Sequence, residues 1–167
     1  QSSFETEDIS RVIKTNDQWF RPVDIKTGPD GTIYVADMHE QRIDHSSHYA
    51  GRIDRTSGRI YRLKPKTEPS KTTTAFDAGK DLVKALQHPA KWHRQTALRL
   101  IGDRKDASLI PPLLTQVNQS VGQTAIESLW ALHLSGGLTT DIAMEMLAHE
   151  DQFVRAWTVR LLCDHYQ

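Results

Sequence analysis

The sequence contains little cysteine, no excess of charge of either sign and no long apolar run. Cys163 is the single cysteine among 167 residues, which excludes an internal disulfide and any metal knuckle built from paired cysteines. Lys plus Arg and Asp plus Glu each number 21. With no overall field to attract nucleic acid or anionic lipid, neither is expected as a partner. The apolar runs are also too short for a membrane span.

Several motifs of common enzymes are missing as well. The sequence has no Gly-x-Ser-x-Gly elbow and no His-Glu-x-x-His pair. Residues Gly28–Gly31 lack the Lys-Ser/Thr of a phosphate-binding loop. The polar stretch Gln1–Ile9 lacks the apolar core of a secretory signal peptide. Because no initiator Met is present, we expect a processed chain or a piece of a longer one.

The first 64 residues have the period-two pattern of β-strands. Apolar and polar residues alternate over Val23–Thr27 and over Ile33–Asp37, and Gly28-Pro29-Asp30-Gly31 between them predicts a tight turn. Arg59–Leu63 is predicted as a third strand, and Ile9–Lys14 as a weaker fourth one. The sequence therefore predicts a small antiparallel sheet in this half of the chain.

The pattern changes after residue 64. Residues 65–80, rich in Pro, Thr, Ser and Lys, are predicted as a linker. From Asp81 the apolar residues recur at helical spacing, which predicts six short helices in three antiparallel pairs. The predicted helices begin near Asp81 and then cover Lys91–Ile101, Ser108–Val117, Gln123–Leu134, Thr139–His149 and Gln152–His165.

The second helices of these pairs are similar to one another. The strings "RQTALRLIG", "GQTAIESLW" and "RAWTVRLLC" align, and Arg94, Gly122 and Arg155 are equivalent at offsets of 28 and 33 residues. Repeats of this length and type indicate a HEAT-like α-solenoid. The predicted fold class is α+β by segregation. It comprises a blade-like β segment over 1–64, a linker over 65–80 and about three HEAT-like helix pairs over 81–167.

The order of these pieces resembles a known family. The segments "WFRPVDIKTGPDGTIYVAD", "GRIYRL", "LQHPAKWHRQTALRLIGDR", "ALHLSGGL" and "LAHEDQFVRAWTVRLL" resemble, from about Trp19 onward, the membrane-bound-dehydrogenase-like, haem-binding proteins of Planctomycetes and related bacteria. In that family a six-bladed β-propeller similar to glucose/sorbosone dehydrogenases precedes HEAT repeats, and a cytochrome c segment usually follows. The resemblance implies that this chain is the last blade and the first HEAT repeats of an extracytoplasmic, periplasmic redox protein.

The resemblance also implies what the chain does not carry. A single cysteine leaves no Cys-x-x-Cys-His, so covalent haem attachment is not encoded here. By analogy the parent protein would use haem c and PQQ with Ca²⁺, while this chain encodes no cofactor site. Met38 and His39 follow Asp37, where the family commonly has Trp and Tyr. A role carried by an aromatic side chain at that point is therefore not expected.

Three polar residues of the β segment are candidates for a ligand site. Arg21 and Asp24 lie at the start of the first strand, which in such propellers often faces the central channel, and His45 could reach its mouth. The alternative for Arg21 and Asp24 is an ion pair or a bond to loop amides. Asp37 ends the second strand and is predicted to cap the following loop.

A metal site in the loop after Asp37 is disfavoured. The loop contains three histidines and two acidic residues, but their spacing does not direct them at one point. No catalytic or metal-ligating residue is therefore predicted. The residues concerned are His39, Glu40, Asp44, His45 and His48.

The chemistry-bearing residues of the helical half are predicted to be structural. Arg94 and Arg155 are expected to bond to neighbouring helix ends, and Cys163 to be a buried small side chain rather than a nucleophile. The tryptophans Trp92, Trp130 and Trp157 are expected in the core.

Two functions remain open. In the first, the β segment closes a propeller of a sugar-dehydrogenase-like redox protein, and the helix pairs form a scaffold or docking surface. In the second, the chain is a non-catalytic HEAT-repeat interaction module. The expected partners are the remaining blades or another protein bound to the helical surface. Catalysis by these residues alone is not expected, because a propeller site draws side chains from several blades.

Overall fold

A computed structural model describes residue 7 and residues 9–11, 13–42, 44–51, 56–64 and 81–163. The chain divides into two compact units. The β unit comprises Gln1–Lys26 and Thr32–Lys66, and the helical unit comprises Thr27–Gly31 and Thr67–Gln167. The predicted linker over 65–80 lies outside the described residues.

The β unit contains a three-stranded antiparallel sheet in the order β1-β2-β3. β1 is Pro22–Thr27, β2 is Ile33–Asp37 and β3 is Arg59–Leu63. β2 and β3 pair in the register Val35↔Tyr61 and Asp37↔Arg59. Because side chains alternate along a strand, Asp37 and Arg59 share one face of this strand pair with Val35 and Tyr61.

The turn between β1 and β2 follows from its sequence. The Gly31 N–H donates to the Gly28 carbonyl at 3.1 Å, and Gly31 has φ of +73°, which glycine adopts at little steric cost. Two local predictions were wrong. The described residues between 9 and 14 form no strand, and α1, His45–Tyr49, is a short helix within the predicted loop.

The helical unit contains helices α2 to α7. Within each of the pairs α2–α3, α4–α5 and α6–α7 the two helices pack on each other, and α5 also packs against α3 and α7. The mixed layout, with strands first and helices after, is confirmed. The helices are α2 Leu82–Ala85, α3 Lys91–Arg104, α4 Ile110–Asn118, α5 Gly122–Leu134, α6 Thr140–Met146 and α7 Gln152–Cys163, and a 3₁₀ turn, Ala107–Leu109, precedes α4.

Apolar side chains of the helical unit form two buried clusters. Leu132 lies in the first cluster and Leu129 in the second, so α5 contributes to both. This places α5 at the centre of the packing. The fully buried side chains of the first cluster include Leu86, Ile101 and Leu113, and those of the second include Val117 and Val154.

The end of α5 shows how sequence determines a helix terminus. In "LSGGL" the Gly136 N–H donates to the His133 carbonyl at 3.0 Å and the Gly137 N–H to the Leu132 carbonyl at 2.8 Å. Gly136 has φ of +81°. These features make a Schellman motif, which satisfies carbonyls that the helix end leaves without partners.

Candidate functional site

Arg21 is bound to the backbone of its own unit. Its Nη1 donates to the carbonyls of Gln18 and Phe20, both at 2.9 Å, and its Nη2 donates to the Gln41 carbonyl at 2.6 Å. These bonds fasten the segment before β1 to the loop after β2. The half-buried guanidinium is thereby engaged in structural bonds rather than presented to a ligand.

Asp24 and His45 lie apart from this arrangement. Asp24 is exposed, accepts from the Ile25 N–H at 2.8 Å and lies 3.4 Å from the Lys26 ammonium. His45 is exposed at the first position of α1. Among the described contacts, none joins Arg21, Asp24 and His45 to one another. The three sequence candidates therefore do not form a common site here.

Asp37 has the bonding that a loop cap requires. Its Oδ1 accepts from the Arg21 N–H at 2.8 Å and from the His39 N–H at 2.9 Å, and its side chain is fully buried. Burial alone would raise the pKa of Asp37, but the N–H groups of Arg21 and His39 and the charge of Arg59 hold it below its usual value. Asp37 is thus an ionised cap within the sheet.

A charged group that the sequence reading missed surrounds this cap. We call it the Arg59 cluster, and it consists of Asp17, Asp37, His39 and Arg59. Arg59 Nη2 lies 2.8 Å from Asp17 Oδ2 and 3.3 Å from Asp37 Oδ2. His39 Nε2 lies 3.5 Å from Asp17 Oδ2, and the His39 ring is 5.5 Å from the Trp19 ring. The hydrogen bond from Arg59, followed by that from the Trp19 N–H, lowers the pKa of Asp17.

The Arg59 cluster is an ion-pair network that ties together three parts of the β unit. Asp17 precedes β1, Asp37 ends β2 and Arg59 begins β3. The network contains no nucleophile, and one guanidinium lies between its two carboxylates. Within the described ranges, no three His, Cys, Asp or Glu side chains are grouped so that they could hold a metal ion. The arrangement therefore supports a structural role.

The helical unit repeats one local arrangement, which we call the His–Arg clasp. His88 Nδ1 accepts from the Ala90 N–H at 3.0 Å, and Arg94 Nη1 donates to the carbonyls of His88 and Pro89, both at 2.9 Å. The clasp thereby fixes the entry into α3, with the arginine six residues after the histidine.

The second clasp has the same spacing before α7. His149 Nδ1 accepts from the Asp151 N–H at 3.0 Å, and Arg155 Nη1 donates to the carbonyls of His149 at 2.7 Å and Glu150 at 2.9 Å. The His149 Nε2 must then carry the proton and donate to the Val117 carbonyl at 3.1 Å. In two of the three aligned segments the sequence repeat is thus also a repeat of contacts.

Two polar contacts join successive helix pairs. Arg94 Nε donates to Glu127 Oε2 of α5 at 2.8 Å, and both side chains are mostly buried. The Gly122 N–H at the start of α5 donates to Asp151 Oδ2, just before α7, at 2.5 Å. This bond, followed by the one from the Phe153 N–H, lowers the pKa of Asp151. At each junction, a carboxylate of the later helix pair accepts a hydrogen bond from a residue near the start of the second helix of the earlier pair.

The aromatic residues lie at the edge of the clusters. Trp130 and Trp157 are half-buried, pack against the second cluster and meet edge to face with ring centroids 4.7 Å apart. Trp92 is half-buried beside His93. Burial, followed by the neighbouring His88, lowers the pKa of His93. The prediction that Cys163 is buried was wrong, because its side chain is exposed at the end of α7.

One polar groove opens between α2 and α4. Its volume is about 900 Å³. Gln87 donates to Gln116 at 2.7 Å, and Gln116 donates to the Ser128 hydroxyl at 2.8 Å. Its lining in the described part of the chain contains hydroxyls, amides, Asp81 and Lys84, but neither His nor Cys.

In the part of the chain that is described, no helix combines the length and the apolar character that crossing a bilayer requires.

Comparison with known proteins gives a match to the N-terminal part of the chain. A family model described as a domain of unknown function, DUF7133, matches residues 1–67, a range that includes β1, β2 and β3. No curated protein and no solved structure matches the chain.

Proposed function

We propose that this chain is a scaffold module of a larger redox protein. Its β unit closes a β-propeller similar to that of sugar dehydrogenases, and its helical unit is a HEAT-like solenoid that serves as a docking surface. The chain itself performs no catalysis. The parent protein is extracytoplasmic, as the family resemblance implies.

The exposed apolar face of the sheet carries this proposal. Val23 and Ile25, on one face of β1, are 58% and 61% exposed, and Ile60 of β3 is 75% exposed. Such alternation normally marks a face that is buried in the folded protein. A sheet of this size is marginal in water unless something packs on it. A neighbouring blade stacked face to face would cover these side chains.

The bonding of the polar residues supports a structural role over a catalytic one. The Arg21 guanidinium is engaged by backbone carbonyls, and Asp37 by backbone N–H groups. In this proposal haem c and PQQ with Ca²⁺ belong to the parent protein, because a chain with one cysteine has no Cys-x-x-Cys-His.

The complete coding sequence is the first test. We expect five further blade motifs before this segment and a Cys-x-x-Cys-His after it. A reading frame that contains no further blade would refute the propeller.

The second test measures the exposed face directly. We expect the isolated chain to bind an environment-sensitive apolar dye, and Val23→Thr with Ile25→Thr to reduce the fluorescence. The control, Met144→Thr, removes a comparably exposed side chain from α6 in the other unit. In the parent protein the dye should no longer bind at this face. Equal fluorescence of the double variant and the unchanged chain would contradict the proposal.

A second candidate is a HEAT-like interaction module with no redox parent. The repeated His–Arg clasp favours it, because two of the three helix pairs contain the same local contacts, as expected of the repeats of a solenoid protein. Absence of blade motifs in a reading frame that contains further helix pairs would favour this alternative.

A further inference from the structure

The first His–Arg clasp contains two stacked histidines. The ring centroids of His88 and His93 are 4.0 Å apart, and His93 is only 3% exposed. His88 lies between α2 and α3, and His93 lies in the first turn of α3. We call these two residues the histidine pair. It lies where α2, a helix of four residues, is connected to the helix on which it packs.

The hydrogen bonds of the clasp require a neutral imidazole on His88. Its Nδ1 accepts from the Ala90 N–H at 3.0 Å, so this nitrogen carries no proton of its own. A charged imidazole has a proton on both ring nitrogens and would direct one donor at another. Uptake of a proton therefore breaks the bond that helps to fix the entry into α3.

Burial and repulsion both oppose a proton on His93. The ring is removed from water, and the pKa of His93 is lowered by this burial first and by the neighbouring His88 second. Two charged imidazoles at this separation would also repel each other. The closed clasp is thus the form in which both rings are neutral.

The charged groups around the histidine pair offer little compensation for an added proton. Arg94 donates to the His88 carbonyl, while the side chains of Lys84 and Lys91 are exposed. Glu127 is already paired with Arg94, and the Asp81 carboxylate accepts from the Lys84 N–H at 3.0 Å. The charged residues of α2 with its cap, of the first turn of α3 and of the part of α5 that contacts this turn are Asp81, Lys84, Lys91, Arg94 and Glu127.

The second clasp has the same acceptor bond in a different electrostatic environment. His149 Nδ1 accepts from the Asp151 N–H, and the Asp151 carboxylate lies close enough for a charged His149 to lower its pKa. A proton on His149 therefore gains a counter-charge, which a proton on the histidine pair lacks. The two clasps should accordingly differ in their sensitivity to acid.

We propose that the histidine pair is an acid-sensitive latch, which holds α2 on α3 while both imidazoles are neutral and releases it when the pair takes up a proton. Residues of α2 and α4 line the polar groove, so release of α2 would reshape this groove. The latch makes a surface of the helical unit depend on pH. This property goes beyond the proposed scaffold role and does not require the propeller.

His88→Asn is the variant that tests the latch. An asparagine oxygen can accept from the backbone N–H two residues further on, as His88 does, but the amide does not titrate. The matched control is His149→Asn in the second clasp. Urea unfolding followed by circular dichroism gives the equilibrium constant for unfolding of both variants and the unchanged chain at about pH 7.5 and about pH 5.5.

The size of the effect follows from proton linkage. An unfolded histidine with a pKa of about 6.5 is about 90% protonated at pH 5.5, so each proton that the folded pair excludes raises the unfolding constant about tenfold. The lowered pKa of His93 gives the sign. Its contribution to stability is fully present above its ordinary pKa of 6.5 and is lost as the pH falls through the lower pKa of the folded state.

We expect acidification to raise the unfolding constant of the unchanged chain about tenfold more than that of His88→Asn. His149→Asn should keep the pH dependence of the unchanged chain to within about threefold. A second measurement needs no substitution. Protection of the Ala90 amide against hydrogen exchange, followed by NMR, should fall about tenfold relative to that of the Asp151 amide between the same two pH values.

Three results would overturn the inference. Equal pH dependence of the unchanged chain and His88→Asn would remove the histidine pair from the response to acid. An equal loss of pH dependence in His149→Asn would show that the response is not specific to the stacked pair. Unchanged relative protection of the Ala90 amide would show that the clasp stays closed in acid. None of these results bears on the propeller, which the coding sequence and dye binding test separately.

Discussion

The ion pair between Arg94 and Glu127 gives the sharpest test of how the helix pairs are joined. The side chains of Arg94 and Glu127 are 16% and 6% exposed, and Arg94 Nε donates to Glu127 Oε2 at 2.8 Å. Gln123 also donates to Glu127, at 2.7 Å. Breaking a buried pair by removing one partner costs roughly 3–5 kcal/mol, because the other charge is left uncompensated.

The two single substitutions should differ in size. Glu127→Ala leaves Arg94 with two carbonyl partners, so we expect a loss of stability at the lower end of that range, about 3 kcal/mol. Arg94→Ala leaves a nearly buried carboxylate with one amide donor and removes the clasp, so we expect about 4–5 kcal/mol. The double variant should cost about 2 kcal/mol less than the sum of the two.

Arg155→Ala is the matched control for the clasp. Arg155 makes the same two carbonyl bonds without a carboxylate among its described contacts, so we expect a loss of only about 1–2 kcal/mol. Urea unfolding followed by circular dichroism and by tryptophan fluorescence measures the four variants and the unchanged chain. The reasoning fails if Arg94→Ala costs no more than Arg155→Ala, or if the coupling is below about 0.5 kcal/mol.

Further predictions concern the end of α5 and the junction before α7. Gly137→Ala places a Cβ 2.7 Å from Leu132 Cδ1 and 2.8 Å from Ile110 Cγ1, so it should lower stability in urea by about 1–3 kcal/mol. Leu132→Ala should cost about 2–5 kcal/mol alone, and the double variant should cost less than the sum, because the clash with Leu132 is removed. The pKa of Asp151 is lowered in the folded protein. Its contribution to the free energy of unfolding is therefore fully present above its ordinary pKa of 3.8, and it is lost as the pH falls through the lower pKa of the folded state. Thermal unfolding of Asp151→Asn, which weakens the bond to Gly122, should therefore depend less on pH below about 5, and an unchanged dependence would contradict this.

Local features of the fold were predictable because short-range chemistry determines them. Alternation in β1 and β2 and the glycine turn between them define a hairpin within about a dozen residues. Helical spacing and the glycines after Leu134 define α5 and its end. The short helix α1 was missed, because "HSSHY" has neither strong helix formers nor an apolar stripe.

The contacts around Asp37 could be predicted only in part. A cap on the following loop is a local property of an aspartate at a strand end. The pairing of Arg59 with Asp17 spans 42 residues and depends on the register of β3. Register is set by packing and turn geometry rather than by the ion pair, so the sequence gives no direct sign of the Arg59 cluster. The same limit explains why the sequence did not predict the carbonyl bonds of Arg21. Its carbonyl partners, including Gln41, are brought to it by the hairpin.

The wrong prediction for Cys163 has a different cause. Periodicity identifies which side of a helix is apolar, and burial was inferred on the assumption that another element covers that side. The assumption holds for α3, which α5 covers, and for α5, which α7 covers. On α7 the stripe continues through Val159 and Leu162, yet Val159 and the neighbouring Cys163 are exposed. Sequence periodicity therefore predicts the apolar stripe of α7, but it does not predict whether another helix covers that stripe.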